Sequence, residues 1–370
     1  MTDVVIVGAG VVGLATAWRS LTAGLTVVIV DPAPGSKASH ASAGMLPPLN
    51  ELLVDDEPLL RLCLASRERY RSFVAELEED SGMSAGFRGD GLLDVAFTAD
   101  DVAALDALGR FARSREIRCE SLSSEQCRDL EPALAPSVAG GLLAPDDGAV
   151  NPRQLNAALL AAIRRRGGDV RQAEVTEVLL DRHATGVRLR GGDTVRGDRV
   201  VLAAGCWTHR LGGLPPGTVP EVRPVKGQIL RLHARPPLLG MATRATVGGS
   251  AVYLVPRSDG ELVVGATYEE AGYDTTPTVA GLTELLGRVR HVLPGAGRLA
   301  FAEFGAGLRP GSPDDLPMIG HTAVRGLLLA TGHFRIGVQL APITADTMTE
   351  MLITGETPEL VKPFSPLRFS

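Results

Sequence analysis

A strand, a glycine turn, a helix, a second strand and an acid follow one another within the first 31 residues, and this order limits the fold more than any other feature. Val4-Val5-Ile6-Val7 reads as a buried strand. Gly8, Gly10 and Gly13, with Ala9, Val11 and Val12 between them, form a Gly-x-Gly-x-x-Gly turn. The first glycine permits the tight turn, the second lets the main chain approach a pyrophosphate, and the third lets helix and strand pack closely. The residues from Leu14 to Leu21 read as a helix whose N-terminal N–H groups and partial positive charge suit phosphate. Gly24 ends it, and Thr26–Val30 forms a strand that runs into Asp31, where a carboxylate can accept hydrogen bonds from a ribose. A glycine-rich loop in an ordinary α/β protein is the alternative, but the complete order favours dinucleotide binding.

The 370 residues leave room for two domains or one elaborate one. A net charge of −6, from 37 basic and 43 acidic residues without long runs of either sign, argues against nucleic acid or an anionic membrane surface as a partner. Aromatic content of 4% argues against a base-stacking platform. The first strand begins three residues from the N-terminus, which leaves no room for a cleavable signal peptide, and no apolar run reaches membrane-spanning length. A soluble cytoplasmic protein is therefore expected. Cys63, Cys119, Cys127 and Cys206 form no Cys-x-x-Cys pair and no zinc-spaced cluster, so neither a metal site nor a redox-active disulfide is expected.

Residues 35–48 are rich in small residues and directly follow Asp31, which suits a loop folding back over the cofactor. Apolar periodicity marks helices over 57–80, 99–115, 151–166 and 278–293, and a last helix over 337–353. Strands are expected at 91–97, 140–145, 173–180, 184–190 and 198–204, with an antiparallel group at 222–232, 251–256 and 261–267. Ala203-Ala204-Gly205 and Gly332 end buried strands in small residues, where a second segment can approach a ligand. The nucleotide-binding domain is thus assigned to 1–45, 150–210 and 305–370. The substrate domain is assigned to 46–149 and 211–304.

These pieces resemble the D-amino-acid oxidase family of flavoproteins, and within it the glycine oxidases of thiamine biosynthesis. The resemblance covers nearly the whole chain. It rests on Val7-Gly8-Ala9-Gly10, Ala43-Gly44-Met45-Leu46, Pro224-Val225-Lys226-Gly227-Gln228, Tyr253-Leu254-Val255-Pro256-Arg257, Leu262–Thr267, Gly307-Leu308-Arg309-Pro310, and Gly332-His333-Phe334-Arg335 with Leu340-Ala341-Pro342. It implies an α/β fold with a glutathione-reductase-type, Rossmann-like domain and an interleaved α+β substrate domain containing an antiparallel sheet. It also implies non-covalent FAD, held by the opening turn and Asp31, by Ser39, Ala43, Gly44 and Met45, by Val175, Ala204, Gly205 and Trp207, and by Gly332, His333, Phe334, Arg335, Gly337 and Val338. His333 is expected to be structural, and covalent attachment at His40 is not expected.

The resemblance gives Arg309 and Tyr253 the substrate carboxylate and puts Arg335 close to the substrate. An arginine fork pairs a carboxylate through two hydrogen bonds, and a tyrosine hydroxyl can add a third. Without the resemblance, Leu308-Arg309-Pro310-Gly311 also reads as a turn with a surface arginine, and Tyr253 as a half-buried strand residue. Tyr268 stands where related oxidases carry a pocket-lining methionine, and Ile336 and Gln339 also depart from the family pattern. These departures bear on substrate identity. The implied reaction is oxidation of glycine or another small amino acid to an imine, then an oxo acid and ammonia, with oxygen reduced to hydrogen peroxide, in the service of thiamine thiazole synthesis. Sarcosine, a D-amino acid or a pathway intermediate is the alternative substrate. A flavin-binding protein without turnover is disfavoured by Arg309 and Tyr253. The assembly is expected to be a homo-oligomer.

Overall fold

The computed structural model describes residues 2–49 and 56–370. Four apolar strands, Val4–Val7, Val27–Val30, Arg199–Leu202 and Leu327–Thr331, pair in parallel at the centre of a six-stranded sheet. Their side chains alternate between two cores, as strand pleating requires. Val4, Ile6, Val27, Ile29, Val201, Leu328 and Ala330 face a helical layer made of Val11–Thr22, Glu57–Ser81, Pro152–Arg165 and Ala341–Thr354. Val5, Val7, Val28, Val30, Val200, Leu202, Leu327 and Leu329 face a three-stranded antiparallel sheet, Val175–Leu180, Ala184–Leu189 and Thr194–Arg196. Burial on both faces explains why these strands read as unbroken apolar runs.

A second, eight-stranded sheet has the order Ala300–Gly311, Arg223–His233, Glu261–Gly265, Ser250–Pro256, Ala242–Val247, Leu92–Ala96, Gly140–Ala144 and Glu120–Ser123. All its pairs are antiparallel except Ala242–Val247 with Leu92–Ala96. One face, including Leu230, Leu232, Leu254, Leu262 and Val264, packs against Leu285, Val289 and Val292 of the helix Val279–Val292. The other face carries Gly227, Ile229 and Tyr253 toward the nucleotide-binding layer.

The expected domain division needs redrawing in two places. The helix Glu57–Ser81 packs into the nucleotide-binding core through Leu59, Leu62, Cys63, Tyr70, Phe73, Val74 and Leu77, so it does not belong with the substrate sheet. Trp18 meets Phe73 edge to face at 5.0 Å across this contact. Conversely, residues 305–311 belong to the edge strand of the second sheet. The Leu308–Gly311 stretch is therefore strand and not turn. Pro310 is tolerated because its nitrogen faces outward. Its carbonyl points the same way and accepts the Phe334 N–H at 3.0 Å. The last helix begins at Ala341, with Pro342 in its first turn, so residues 337–340 form a turn ahead of the helix. Among the described residues, no helix is long and apolar enough to cross a membrane, and no His, Cys, Asp or Glu group could hold a metal.

Candidate active site

A cavity of about 760 Å³ runs along the seam between the two sheets and takes walls from both. At one end the walls are main chain. Gly8 has φ +104°, and a Cβ there would lie 2.5 Å from the Ala203 oxygen. A Cβ on Gly13 would lie 2.0 Å from the Gly8 oxygen, so Gly13 sits behind the wall and keeps helix against strand. Gly10 differs. Among the described residues only the Ser39 hydroxyl lies near a Cβ placed there, at 3.5 Å, and Gly10 itself lines the cavity. The Ser39 Oγ accepts the Val11 N–H at 3.0 Å, whereas the Gly10, Val12 and Gly13 N–H groups have no protein acceptor among the described residues. Unpaired N–H groups at a helix start, with Gly10 and Val12 lining the cavity, fit a pyrophosphate.

Asp31 lines the same end, and it is already engaged. One carboxylate oxygen accepts the Ala9 N–H at 2.8 Å and the other accepts the Ala33 N–H at 2.7 Å. Asp31 thus shapes the glycine turn while keeping lone pairs for a ribose. Val175, Ala204, Gly205 and Trp207 continue this wall, with the Lys37 ammonium 5.7 Å from the centre of the Trp207 ring. Ala43, Gly44 and Met45 form a further wall. The Gly44 carbonyl accepts the Val150 N–H and the Leu46 N–H donates to the Gly148 carbonyl, at 2.8 and 2.9 Å. The buried Arg257 guanidinium clamps the carbonyls of Ala43 and Val150. Burial holds its pKa down at about 10.

Toward the other end lies the turn 334–340. Ser66 and Tyr70 of the helix Glu57–Ser81 donate their hydroxyls to the Gln339 and Val338 carbonyls, at 2.6 and 3.1 Å. With those carbonyls held away, the N–H groups of Gly337, Val338 and Gln339 have no acceptor among the described residues, and Gly337 and Val338 line the cavity. His333 is buried, and its Nε2 lies 3.1 Å from the Thr344 hydroxyl. Burial lowers its pKa to about 4, which keeps it neutral and suits a structural role. Gly332 lies behind the wall, where its positive φ of 72° turns the chain.

The two expected carboxylate-binding residues lie on one face of the second sheet. Val225, Gly227 and Ile229 share that face, since they alternate along one strand. Arg309 pairs with Val225 in register, while Tyr253 and Ile229 both pair with Gly265. The Arg309 guanidinium lies over Gly227, and a Cβ there would sit 2.3–2.5 Å from it. The Tyr253 ring lies over Gly265 in the same manner, at 2.3–2.4 Å from a Cβ placed there. Nη1 of Arg309 donates to the carbonyls of Lys226 and Thr267, at 3.3 and 3.2 Å. These two carbonyls orient the guanidinium plane and leave its remaining N–H groups for a ligand. Both Arg309 and Tyr253 line the cavity.

Phe334 and the exposed Arg335 line the cavity at its mouth, where the Arg335 guanidinium lies 5.2 Å from the Phe334 ring centre. Tyr268 does not join them as pocket lining. It is 55% exposed, meets Phe334 edge to face at 6.2 Å and points its hydroxyl at Glu270. It sits outside because the chain leaves the sheet after Gly265 and runs back across Lys226, pairing through Glu269. Sequence reasoning missed the carbonyls of Lys226 and Thr267, and the bracing by Ser66 and Tyr70. The glycines at 227 and 265 inside strands were the available signal, since a strand glycine marks a close approach.

A doubly covered parallel sheet with a glycine cradle, joined to a sheet that presents a cation, defines a dinucleotide-dependent oxidoreductase. The family model described as FAD dependent oxidoreductase matches residues 3–351, and the chain belongs to that family, with FAD as its cofactor. The glycine oxidase of Geobacillus kaustophilus is 33% identical over 99% of this chain and 97% of its own length. The bifunctional protein ThiO/ThiG of Synechocystis sp. is 36% identical over the whole chain, but this chain spans only 54% of that relative. The solved glycine oxidase from Geobacillus kaustophilus superimposes with a TM-score of 0.91 at 32% identity, covering 98% of this chain and 97% of that one. The glycine oxidase from Bacillus cereus superimposes with a TM-score of 0.90 at 28% identity, covering 97% of this chain and 98% of that one.

Proposed function

We propose that this protein oxidises glycine or another small amino acid, giving an oxo acid and ammonia while oxygen becomes hydrogen peroxide, and that the product serves thiamine thiazole synthesis. The observation that carries this reading is the Arg309 guanidinium, fixed on the cavity wall by two carbonyls with Tyr253 beside it. Arg309 would pair the substrate carboxylate through its free edge, and the Tyr253 hydroxyl would add a hydrogen bond. Clamping one end of so small a substrate fixes its Cα–H, which is a task of positioning. Apolar walls at Ile229 and Met45, together with the nearby Arg309 cation, disfavour an ammonium and so favour the free amine. FAD bound in this cavity supplies the hydride acceptor and the route of electrons to oxygen. The unpaired N–H groups at 337–339 would offset negative charge where the turn meets the cofactor.

The similarity to proteins named glycine oxidase and ThiO/ThiG supports the substrate and the pathway. A cytoplasmic homo-oligomer completes the reading, and the absence of any disulfide among the described residues fits a reducing compartment. The test is anaerobic addition of glycine to the purified yellow protein, followed by sarcosine and D-alanine. Rapid loss of flavin absorbance with glycine is the expected result. Loss with none of the three would overturn the reading.

A further inference from the structure

The sequence Lys226-Gly227-Gln228 places alternate side chains on opposite faces of one strand, and only Gly227 faces the cavity. Lys226 and Gln228 are both buried on the far face, where they meet the returning segment 267–278. There the Glu269 carboxylate is the hub. One oxygen accepts the Thr267 hydroxyl and the Gln228 amide, the latter at 2.6 Å, and the other lies 3.6 Å from the Lys226 ammonium. The Thr267 hydroxyl accepts the Gln228 backbone N–H at 2.9 Å, and Glu269 and Lys226 exchange backbone hydrogen bonds at 2.9 and 3.0 Å. Gln228 also grips Thr278, the N-cap of the helix Val279–Val292. All of these bonds converge on residues 226–228 and 267–269. Two carbonyls from these segments, those of Lys226 and Thr267, hold Arg309 Nη1.

We propose that Glu269 is a positioning residue: through Thr267, Gln228 and Lys226 it fixes the two carbonyls that aim the Arg309 guanidinium into the cavity. The inference rests on the reading of Arg309 as the carboxylate anchor. Removing the Glu269 carboxylate would leave the buried Lys226 ammonium with the Thr276 carbonyl at 2.7 Å and the Asp274 carboxylate at 3.9 Å, and would release the Thr267 hydroxyl. A buried ammonium that loses the nearer of its two carboxylates moves or draws in water, and the Thr267 and Lys226 carbonyls shift with it. The site is built for an ionised Glu269. Burial alone would raise its pKa, but hydrogen bonds from Thr267 and Gln228 and the Lys226 charge hold it below the usual carboxylate value.

The experiment uses the FAD-loaded enzyme. Acetate binding is followed by its perturbation of the flavin spectrum, and glycine turnover gives KM and kcat separately. Glu269→Ala is expected to raise the acetate Kd and the glycine KM together by about tenfold, with kcat within about threefold of wild type and full FAD content. Glu269→Gln keeps an acceptor for Thr267 and Gln228 and should recover most of that loss, which general structural damage would not do. Should Glu269→Ala purify without FAD, Gln228→Met, which removes one donor to the same carboxylate together with the two bonds to Thr278, replaces it, with a rise in acetate Kd of about threefold expected. Arg309→Lys separates the two ideas. If it weakens acetate while the Glu269 variant (or Gln228→Met in its place) does not, the positioning role is overturned and the anchor stands. If neither weakens acetate, the anchor itself is wrong.

Discussion

The two ends of the cavity use glycine for opposite purposes. At the cofactor end, Gly8 and Gly13 let main chain lie against main chain, and a Cβ on either would strike a backbone oxygen that cannot move alone. At the substrate end, Gly227 and Gly265 let a long side chain lie flat on a strand, and a Cβ there would first strike the side-chain ends of Arg309 and Tyr253. The first end is therefore rigid and speaks through N–H groups. The second is adjustable and speaks through a guanidinium and a hydroxyl. Substitutions should separate cofactor retention from substrate capture along this line.

The largest effect is expected from Gly8→Ala. The new Cβ meets the Ala203 oxygen at a φ of +104°, which together cost roughly 3–5 kcal/mol. The protein should purify without flavin and with a lowered Tm, and full FAD content in this variant would break the comparison at its rigid end. Arg309→Ala should do the reverse. Losing one partner of a buried carboxylate pair costs roughly 3–5 kcal/mol, so kcat/KM should fall between about a hundred- and several-thousand-fold. FAD content should stay at the wild-type level, and a kcat/KM within a few-fold of wild type would leave the substrate end without its anchor.

Acidification tests the wall between the two ends. His333 is buried neutral with a pKa of about 4, below its unfolded value of 6.5. Its contribution to stability is complete above pH 6.5 and is lost as the pH falls toward 4, because the unfolded state binds the proton first. The loss should reach roughly 3 kcal/mol, seen as a falling Tm across that window and flattened in His333→Gln. A window unchanged by that substitution would mean that His333 is not dry. Gly227→Ala should be milder than either end's main lesion, since the Arg309 tip can give way. We expect KM to rise roughly tenfold with FAD retained. Tyr268→Met should have the smallest effect. With Tyr268 exposed outside the lining, the ranking of glycine, sarcosine and D-alanine should hold, and a changed ranking would draw Tyr268 into the adjustable end.

The rigid end was legible in the sequence because its rules are local. Three glycines, their spacing and the acid at Asp31 follow from sterics within one strand–turn–helix unit. The burial of Val4 to Val7 was likewise readable, because the run is unbroken and apolar. The adjustable end depends on register between distant strands, and that is invisible in a single sequence. Leu308-Arg309-Pro310-Gly311 carries turn residues, yet it lies in a strand because the outer edge excuses Pro310 from donating. The helix Glu57–Ser81 shows an apolar stripe, but a stripe does not say which layer it will cover. The exposed position of Tyr268 beside Phe334 was not readable, because its distance in sequence from Gly265 says nothing of where the chain turns back.

The interleaving of the chain also bears on how such a protein can be recombined. The cavity takes a wall from the opening turn, from 43–45, from 203–207, from 227 and 229, from 307–310 and from 333–335 with 337–338. A crossover between two parents at any single point would join one parent's main-chain cradle to the other's opposing wall. Gly8 must meet residue 203 without a Cβ, and the pieces holding Arg309 lie more than 80 residues apart at 226 and 309, so neither contact can be inherited as one contiguous block. Chimaeras should work when all the pieces of one layer are exchanged together. Variation between relatives should therefore accumulate by paired substitution across the seam, with block exchange confined to elements that line no part of the cavity.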